Sequence, residues 1–268
     1  MTDVLTRFAK RSWIRRLVIP ALSRVNPGNI VVKHHWTGDK VFLHSFRHKG
    51  YWFYGKARER DEMVALKRLV RPSDTVFDIG AHIGYTALFL ASLAPDGHIH
   101  SFEPGSNNLP YLRRNVASKL NITVVESAVG DRCGTAVLGL EDITGQNNSL
   151  DESLHALKDT AAAAFVVPNV ERESVPITTV DRYCREAGVQ PQLIKIDVEG
   201  YEREVLVGAE QTLAAARPIL MVEVSQNPSD VMRLILAAGY EIYDSRLVPF
   251  RGVPDGNRNF FCLHPSQT

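Results

Sequence analysis

The sequence predicts a doubly wound α/β domain whose mostly parallel sheet ends in an antiparallel hairpin. Three observations carry this. From residue 75 onward, short apolar runs alternate with helical stretches of ~10–15 residues, the pattern of parallel strands joined by right-handed crossovers. The first run ends in a glycine turn, D-I-G-A-H-I-G at 78–84, that opens a helix. The last two runs, 240–246 and 259–264, have only a Pro/Gly-rich turn between them. No helix fits there, so they should pair antiparallel at one edge. A chain of 268 residues, 44% of them hydrophobic, can bury the core that such a domain needs.

Taken in order, residues 1–27 set Arg7, Lys10, Arg11, Arg15 and Arg16 among Phe8, Trp13, Ile14, Leu17 and Val18. The short apolar stripe reads as a surface helix packed on the domain. The alternative is a basic amphipathic helix lying on an anionic membrane face. Residues 28–55, rich in Val, His, Trp, Phe and Tyr, read as two or three strands of a small cap. Residues 59–70 have helical spacing with acids first and bases last, and Arg71-Pro72 ends the helix. Strands follow at 75–80, 98–104, 122–129, 192–198 and 218–224, with helices at 84–94, 107–119, 202–216 and 229–238. Between them, 133–140 reads as an extra strand and 141–160 as a polar loop. Thr179 caps a helix that ends at Gly188. The expected organisation is a basic cap over 1–58 and a domain over 59–268.

Net charge is +1, so no global field selects nucleic acid. The charge is uneven. Residues 1–60 hold 13 bases and 3 acids, and the remainder 18 bases and 27 acids. Cys133, Cys184 and Cys262 are too few and too scattered for a disulfide framework or a zinc site. No apolar run approaches the ~20 residues of a membrane span. The apolar stretch 17–22 is too short for a signal peptide. The expectation is a cytoplasmic protein; on the membrane alternative, the basic N-terminus is its peripheral contact with the inner membrane face. The sequence implies no oligomeric state.

Three motifs carry chemistry. In V-F-D-I-G-A-H-I-G-Y (76–85) the glycines are spaced G-x-x-x-G, unlike the G-x-G-x-x-G of a dinucleotide site. Asp78 precedes the first glycine by two residues and would repel a pyrophosphate; a ligand with a positive amino group and a sulfonium suits it better. Glu103, in S-F-E-P at the end of the second strand, can accept hydrogen bonds from both ribose hydroxyls of a nucleoside. In K-I-D-V-E-G-Y-E (195–202), alternation puts Lys195, Asp197 and Glu199 on one face at the carboxyl edge of the sheet, and Glu223 ends the next strand. Such acids can bind a metal, activate a hydroxyl or hold the amino group of a methionine.

These stretches, with S-A-V-G-D at 127–131 and L-I-K-I-D-V-E-G-Y-E-R-E-V-L-V-G-A at 193–209, resemble the FkbM-type methyltransferases over about residues 51–239. N-N-S-L (147–150) and V-P-I-T-T-V-D (175–181) fit the same pattern. The resemblance implies the class I, Rossmann-like fold: a seven-stranded sheet with a reversed last hairpin. It also implies S-adenosylmethionine as cofactor and O-methylation of hydroxyls on sugars, glycans or natural products. His82 departs from the family, which usually has Asn there.

On this reading Asp78, Gly80, Ala81, His82, Gly84, Tyr85, Glu103, Ser127, Ala128 and Asp197 bind the cofactor. Glu199 is the first candidate for general base, with Asp197, Lys195 and Glu223 as alternatives. No metal is expected, although Asp197 and Glu223 mark where a divalent cation would sit. Asn147, Asn148 and Ser149 are expected to contact or gate a small-molecule or glycan acceptor rather than the cofactor. A nicotinamide-dependent oxidoreductase would share the turn and Glu103 but needs the missing glycine motif. A non-catalytic binding protein would keep the fold without the acids.

Overall fold

The structure, a computed structural model, describes residues 27–141, 148–150, 170–224, 226–254, 256 and 258–267. The basic arm (1–26) and Asn147 lie outside the described residues.

The cap begins with an antiparallel hairpin of β1 (Asn29–Lys33) and β2 (Lys40–His44). The aromatic run that reads as a third strand is instead a helical turn, α1 (Lys49–Phe53). Its aromatics are held from two sides. Trp52 Nε1 donates to the Ser45 carbonyl at 2.8 Å, and the buried Tyr51 shares a 2.8 Å hydrogen bond with His82 Nδ1. Helix α2 (Arg60–Leu69) carries Asp61 and Glu62 in its first turn and Lys67 and Arg68 in its last, as the helix dipole favours. It buries Met63, Ala65 and Leu66.

The main sheet contains β3 (Thr75–Ile79), β4 (His98–Phe102), β5 (Ile122–Val125), β9 (Leu193–Ile196), β10 (Ile219–Val224), β11 (Glu241–Asp244) and β12 (Arg258–Leu263), in the order β11-β12-β10-β9-β3-β4-β5. Only β12 runs against the rest. The expected terminal hairpin is present. Its second strand, however, inserts between β10 and β11 instead of extending the edge. Crossovers run through α3 (Tyr85–Leu93), α4 (Leu109–Val116), α5 (Val180–Ala187), α6 (Glu202–Val207), α7 (Glu210–Ala215) and α8 (Pro228–Ala237). Thr179 Oγ1 accepts from the Arg182 amide, and Gly188 ends α5 in the left-handed region, as the sequence predicts.

Two expected elements are divided. The single strand at 122–129 breaks at Ser127, whose amide turns back onto the Val125 carbonyl at 2.9 Å. Beyond it, β6 (Ala128–Val129) leaves the main sheet and joins β7 (Gly134–Glu141) and β8 (Val170–Thr178) in a second sheet, β6-β8-β7. The single helix at 202–216 breaks near Gly208. A Cβ there would stand 1.9 Å from the Gly130 carbonyl, and Asp181 takes the Gln211 and Thr212 amides at 2.9 and 2.8 Å to start α7 anew.

Side-chain alternation sorts the sheet into two faces. Phe77, Ile194, Val222 and Phe260 pack with α6 and α8 residues such as Val205 and Ile235. Val76, Leu193, Met221 and Phe261 pack on the other face with α3, α4 and the cap residues Val41, Leu43, Tyr51, Met63 and Leu66. Asp78, Lys195, Asp197, Glu223 and Asn259 follow this second set by period two, so the cap covers the face that carries the charged residues. No helix among the described residues is long and apolar enough to cross a membrane.

Because the cap shares the core of the sheet, cutting its packing should destabilise the whole. Leu43 is fully buried. Leu43→Ala should lower unfolding free energy by about 2–5 kcal/mol in one cooperative transition. Denaturant melts checked by circular dichroism and tryptophan fluorescence should coincide. A separate low-stability transition for the cap would contradict the shared core.

Candidate functional site

The glycine turn after β3 is shaped chiefly by its neighbours. Gly80 has φ +83°, and a Cβ there would lie 1.8 Å from the Asp197 backbone oxygen, so the β9 end occupies the space a side chain would need. His82 is also left-handed, at φ 52°. Its ring turns toward the cap, onto Tyr51, and its amide donates to Glu103 Oε2 at 2.8 Å. Gly84 makes room for α4: a Cβ would meet Leu112 Cδ1 at 2.7 Å. Tyr85 stacks on His34 at 3.8 Å, and its hydroxyl accepts from the His35 amide at 3.3 Å. Gly84 and Tyr85 therefore dock α4 and the cap and do not line the central cavity.

Glu103 is buried at the end of β4. Besides the His82 amide, Gly105 N–H and Asn108 Nδ2 donate to its Oε1 at 2.9 and 3.2 Å. Burial pushes its pKa up to about 7, against the pull of these donors. The carboxylate is thus held rigidly, facing the cavity that it lines.

Lys195 organises the opposite side. Its Nζ lies 3.2 Å from Asp78, 3.1 Å from Asp197 and 3.3 Å from the Gly80 carbonyl. An ammonium has three donors, so all are engaged. Burial alone would lower the Lys195 pKa, but Asp197 and Asp78 reverse that and raise it. Lys195 stays a cation and is no general base. Asp78 is fully buried behind it and outside the cavity lining. Burial would raise the Asp197 pKa, yet Lys195, aided by a hydrogen bond with Glu223, holds it at about 2. The Asp197 charge, then burial, raises Glu223 well above the carboxylate range. Burial, then Asp197, raises Glu199 to about 8.

Glu199 and Gly200 have φ of 51° and 97°, which turns the chain sharply off β9. Ser149 Oγ pins this turn by donating to the Glu199 carbonyl at 2.8 Å, and Glu202 pins it by accepting from the Gly200 amide at 2.9 Å. The outcome is one carboxylate oxygen each from Asp197, Glu199 and Glu223 within 4.8 Å of one another. A divalent cation could be held there; Lys195 already supplies a positive charge on the Asp197 side.

A cavity open to solvent joins the two ends. Of the residues expected from sequence it brings together Gly80, Ala81, His82, Glu103, Ser127, Ala128, Lys195, Asp197, Glu199 and Glu223. It adds Tyr51, Arg58 and Glu59 from the cap, Asn108 from the start of α4, and Asn259 from β12, none of which carries a motif. Pairing register could have found Asn259, which lies opposite Glu223. Asn148 also lines the cavity, paired with Asn107 by amide contacts of 2.7 and 3.3 Å. It stands against Gly105, beside Glu103.

The profile of the methyltransferase FkbM domain matches residues 78–242. The chain is 27% identical over 156 residues to the 2-O-methyltransferase NoeI of Sinorhizobium fredii, covering 56% of this chain and 63% of that protein. It is 30% identical over 159 residues to the 31-O-demethyl-FK506 methyltransferase FkbM of Streptomyces tacrolimicus, covering 53% and 61%. The hexuronic acid methyltransferase AglP of Haloferax volcanii is 23% identical over 185 residues, 67% and 69% of the two chains. The chain thus spans about three fifths of the first two relatives. Among solved structures, a methyltransferase FkbM from Methylobacillus flagellatus aligns at 15% identity with a TM-score of 0.48, over 78% of this chain and 60% of that one.

The burial of Glu103 has a measurable signature. Its folded-state pKa, about 7, lies above the ordinary 4.5. Its favourable contribution is therefore complete below pH 4.5 and lost as pH rises through 7. Glu103→Gln removes this dependence. The melting temperature of the variant should rise relative to wild type between pH 5 and 8, equivalent to about 3 kcal/mol at most. A pH-independent gap between the two would contradict the buried assignment.

Proposed function

The chain belongs to the FkbM methyltransferase family, and on that premise we propose that it transfers a methyl group from S-adenosylmethionine to a hydroxyl of a sugar, glycan or related natural product. One observation carries the proposal. A single cavity has a carboxylate fixed by N–H donors at one end and, at the other, convergent carboxylates of which one sits near pKa 8. The donor set fits this cofactor: an acceptor-only group for two ribose hydroxyls, and negative charge for an ammonium and a sulfonium. The acceptor class rests on the relatives, two of which are named for O-methylation.

When bound, S-adenosylmethionine supplies a methyl carbon made electrophilic by its sulfonium. The protein must align that carbon with the acceptor oxygen at ~3–3.5 Å. Glu103 accepts the ribose hydroxyls, while Ser127, Ala128 and Leu138 form the wall beside the base. Lys195 keeps Asp197 ionised, and Asp78 keeps Lys195 in place from behind. Asp197 then provides a fixed negative charge for the cofactor's ammonium. Glu199, next to it and above the usual carboxylate range, takes the acceptor proton. Gly200 makes room for the Gln226 side chain, whose Nε2 would lie 2.6 Å from a Cβ there. Glu223, which shares a hydrogen bond with Asp197, is the alternative base.

Calorimetry with S-adenosylhomocysteine tests the cofactor end. Glu103→Ala should weaken binding by about 1.5–3 kcal/mol for each charge-assisted hydrogen bond lost; unchanged affinity would falsify the assignment. Single-turnover rates test the other end. Glu199→Gln should retain fold and cofactor affinity while slowing methyl transfer by ~10²-fold or more. In wild type the rate should climb with pH through about 8 as Glu199 ionises, and the variant should lose that limb. A full-speed, pH-insensitive variant would move the base elsewhere.

A further inference from the structure

We infer that Arg58 holds the carboxylate of the cofactor's methionine moiety, which makes the N-terminal cap a working part of the cofactor site. The inference rests on S-adenosylmethionine being the methyl donor. The head of that molecule is a zwitterion, so it needs a cation with unused donors as well as acids for its ammonium. Two cationic side chains line the cavity among the described residues, Lys195 and Arg58. Lys195 has three donors and three acceptors already around it. Arg58 has five N–H donors in a planar fork, the geometry that grips a carboxylate.

Arg58 is held ready for this. Its guanidinium lies 4.4 Å over the Tyr51 ring, and one terminal nitrogen is 2.8 Å from Glu59. Glu59 has φ 49°, an uncommon conformation that brings its carboxylate back onto the preceding residue. Gly50 supplies the space: a Cβ there would come within 2.6 Å of Arg58 Nη1. The Arg58 Nε is buried and has no hydrogen-bond partner among the described residues. A buried donor left unpaired costs free energy, so the fork is held in place at a cost.

The surroundings match a zwitterion in polarity as well. The cap lies over the sheet face that carries Asp197, Glu223 and Asn259, and the Arg58 charge acts on both acids. A head group with its carboxylate on Arg58 would place its ammonium, one carbon away, toward Asp197. No motif marks Arg58, because it lies N-terminal to residues 78–242 where the family profile matches.

The test compares two ligands that differ only in that carboxylate: S-adenosylhomocysteine and its decarboxylated analogue, which keeps the amine. Calorimetry on wild type should give at least ~30-fold tighter binding of the first. Arg58→Gln should weaken S-adenosylhomocysteine by about the same factor and leave the analogue within ~3-fold, collapsing the discrimination. Arg58→Lys, which keeps the charge and loses the fork, should fall between. Arg58→Gln that weakens both ligands equally, or that discriminates as well as wild type, overturns the inference. So does wild type that binds both ligands alike, a result that depends on no variant folding. Wild type that binds neither ligand overturns the donor assignment first, and this inference with it.

Discussion

The ammonium of Lys195 is the interaction on which the site depends. It sits at the junction of β3 and β9, buried, with Asp78, Asp197 and the Gly80 carbonyl at 3.1–3.3 Å. A buried charge is tolerable only when fully paired. That requirement fixes several things at once. It sets the position of the glycine turn, because the Gly80 carbonyl is one of the three partners. The turn in turn aims the His82 amide at Glu103, at the end of the adjacent strand β4. It also keeps Asp197 ionised, and that charge raises the pKa of both Glu199 and Glu223. One cation therefore ties the geometry of the nucleoside end to the acid–base state of the other. Taking away one partner would leave a charge stranded in the interior, a defect of about 3–5 kcal/mol.

Much of this was legible in the chain. Alternating apolar runs and helical stretches locate all seven strands of the main sheet, and the missing helix after 246 reveals the reversed pair. Glu103, Asp197, Glu199 and Glu223 could be placed together because strand ends of a parallel sheet share one edge. Other features could not be read. Asp78 looks like a ligand by position, yet it faces Lys195 across the sheet, and strand pairing is not encoded locally. The breaks at Ser127 and Gly208 arise from contacts with residues far along the chain, Pro176 and Gly130. Such tertiary overrides leave propensity and periodicity unchanged.

The cap illustrates a different kind of blindness. Its composition reads as a loose set of strands, and its excess of bases suggests a surface device. Instead its apolar residues complete one face of the core, and Tyr51, Arg58 and Glu59 reach the cavity. Four ring contacts connect it to the glycine turn: His34 on Tyr85, Tyr51 on Tyr85, Tyr51 on His82 and His48 on His82. Burial keeps His34 and His48 at about 4 and about 2, so both rings stay neutral and pack as aromatics at physiological pH. His82 belongs to this aromatic seam.

The insertion of β12 between β10 and β11 bears on how the protein is made. Ribosomes release a chain from its N-terminus, so β10 and β11 emerge before the strand that must join them. Until residues 258–263 arrive, β10 has an open edge next to the acids of the cavity, and β11 has no neighbour to pair with. The long-range contacts of this last strand come with the high sequence separation that slows folding. An unpaired apolar edge such as I-L-M-V-E-V is also a template for pairing between chains. Completing the sheet is thus a late event in biogenesis, and in that interval a nascent chain depends on chaperones or dilution to stay apart from its copies.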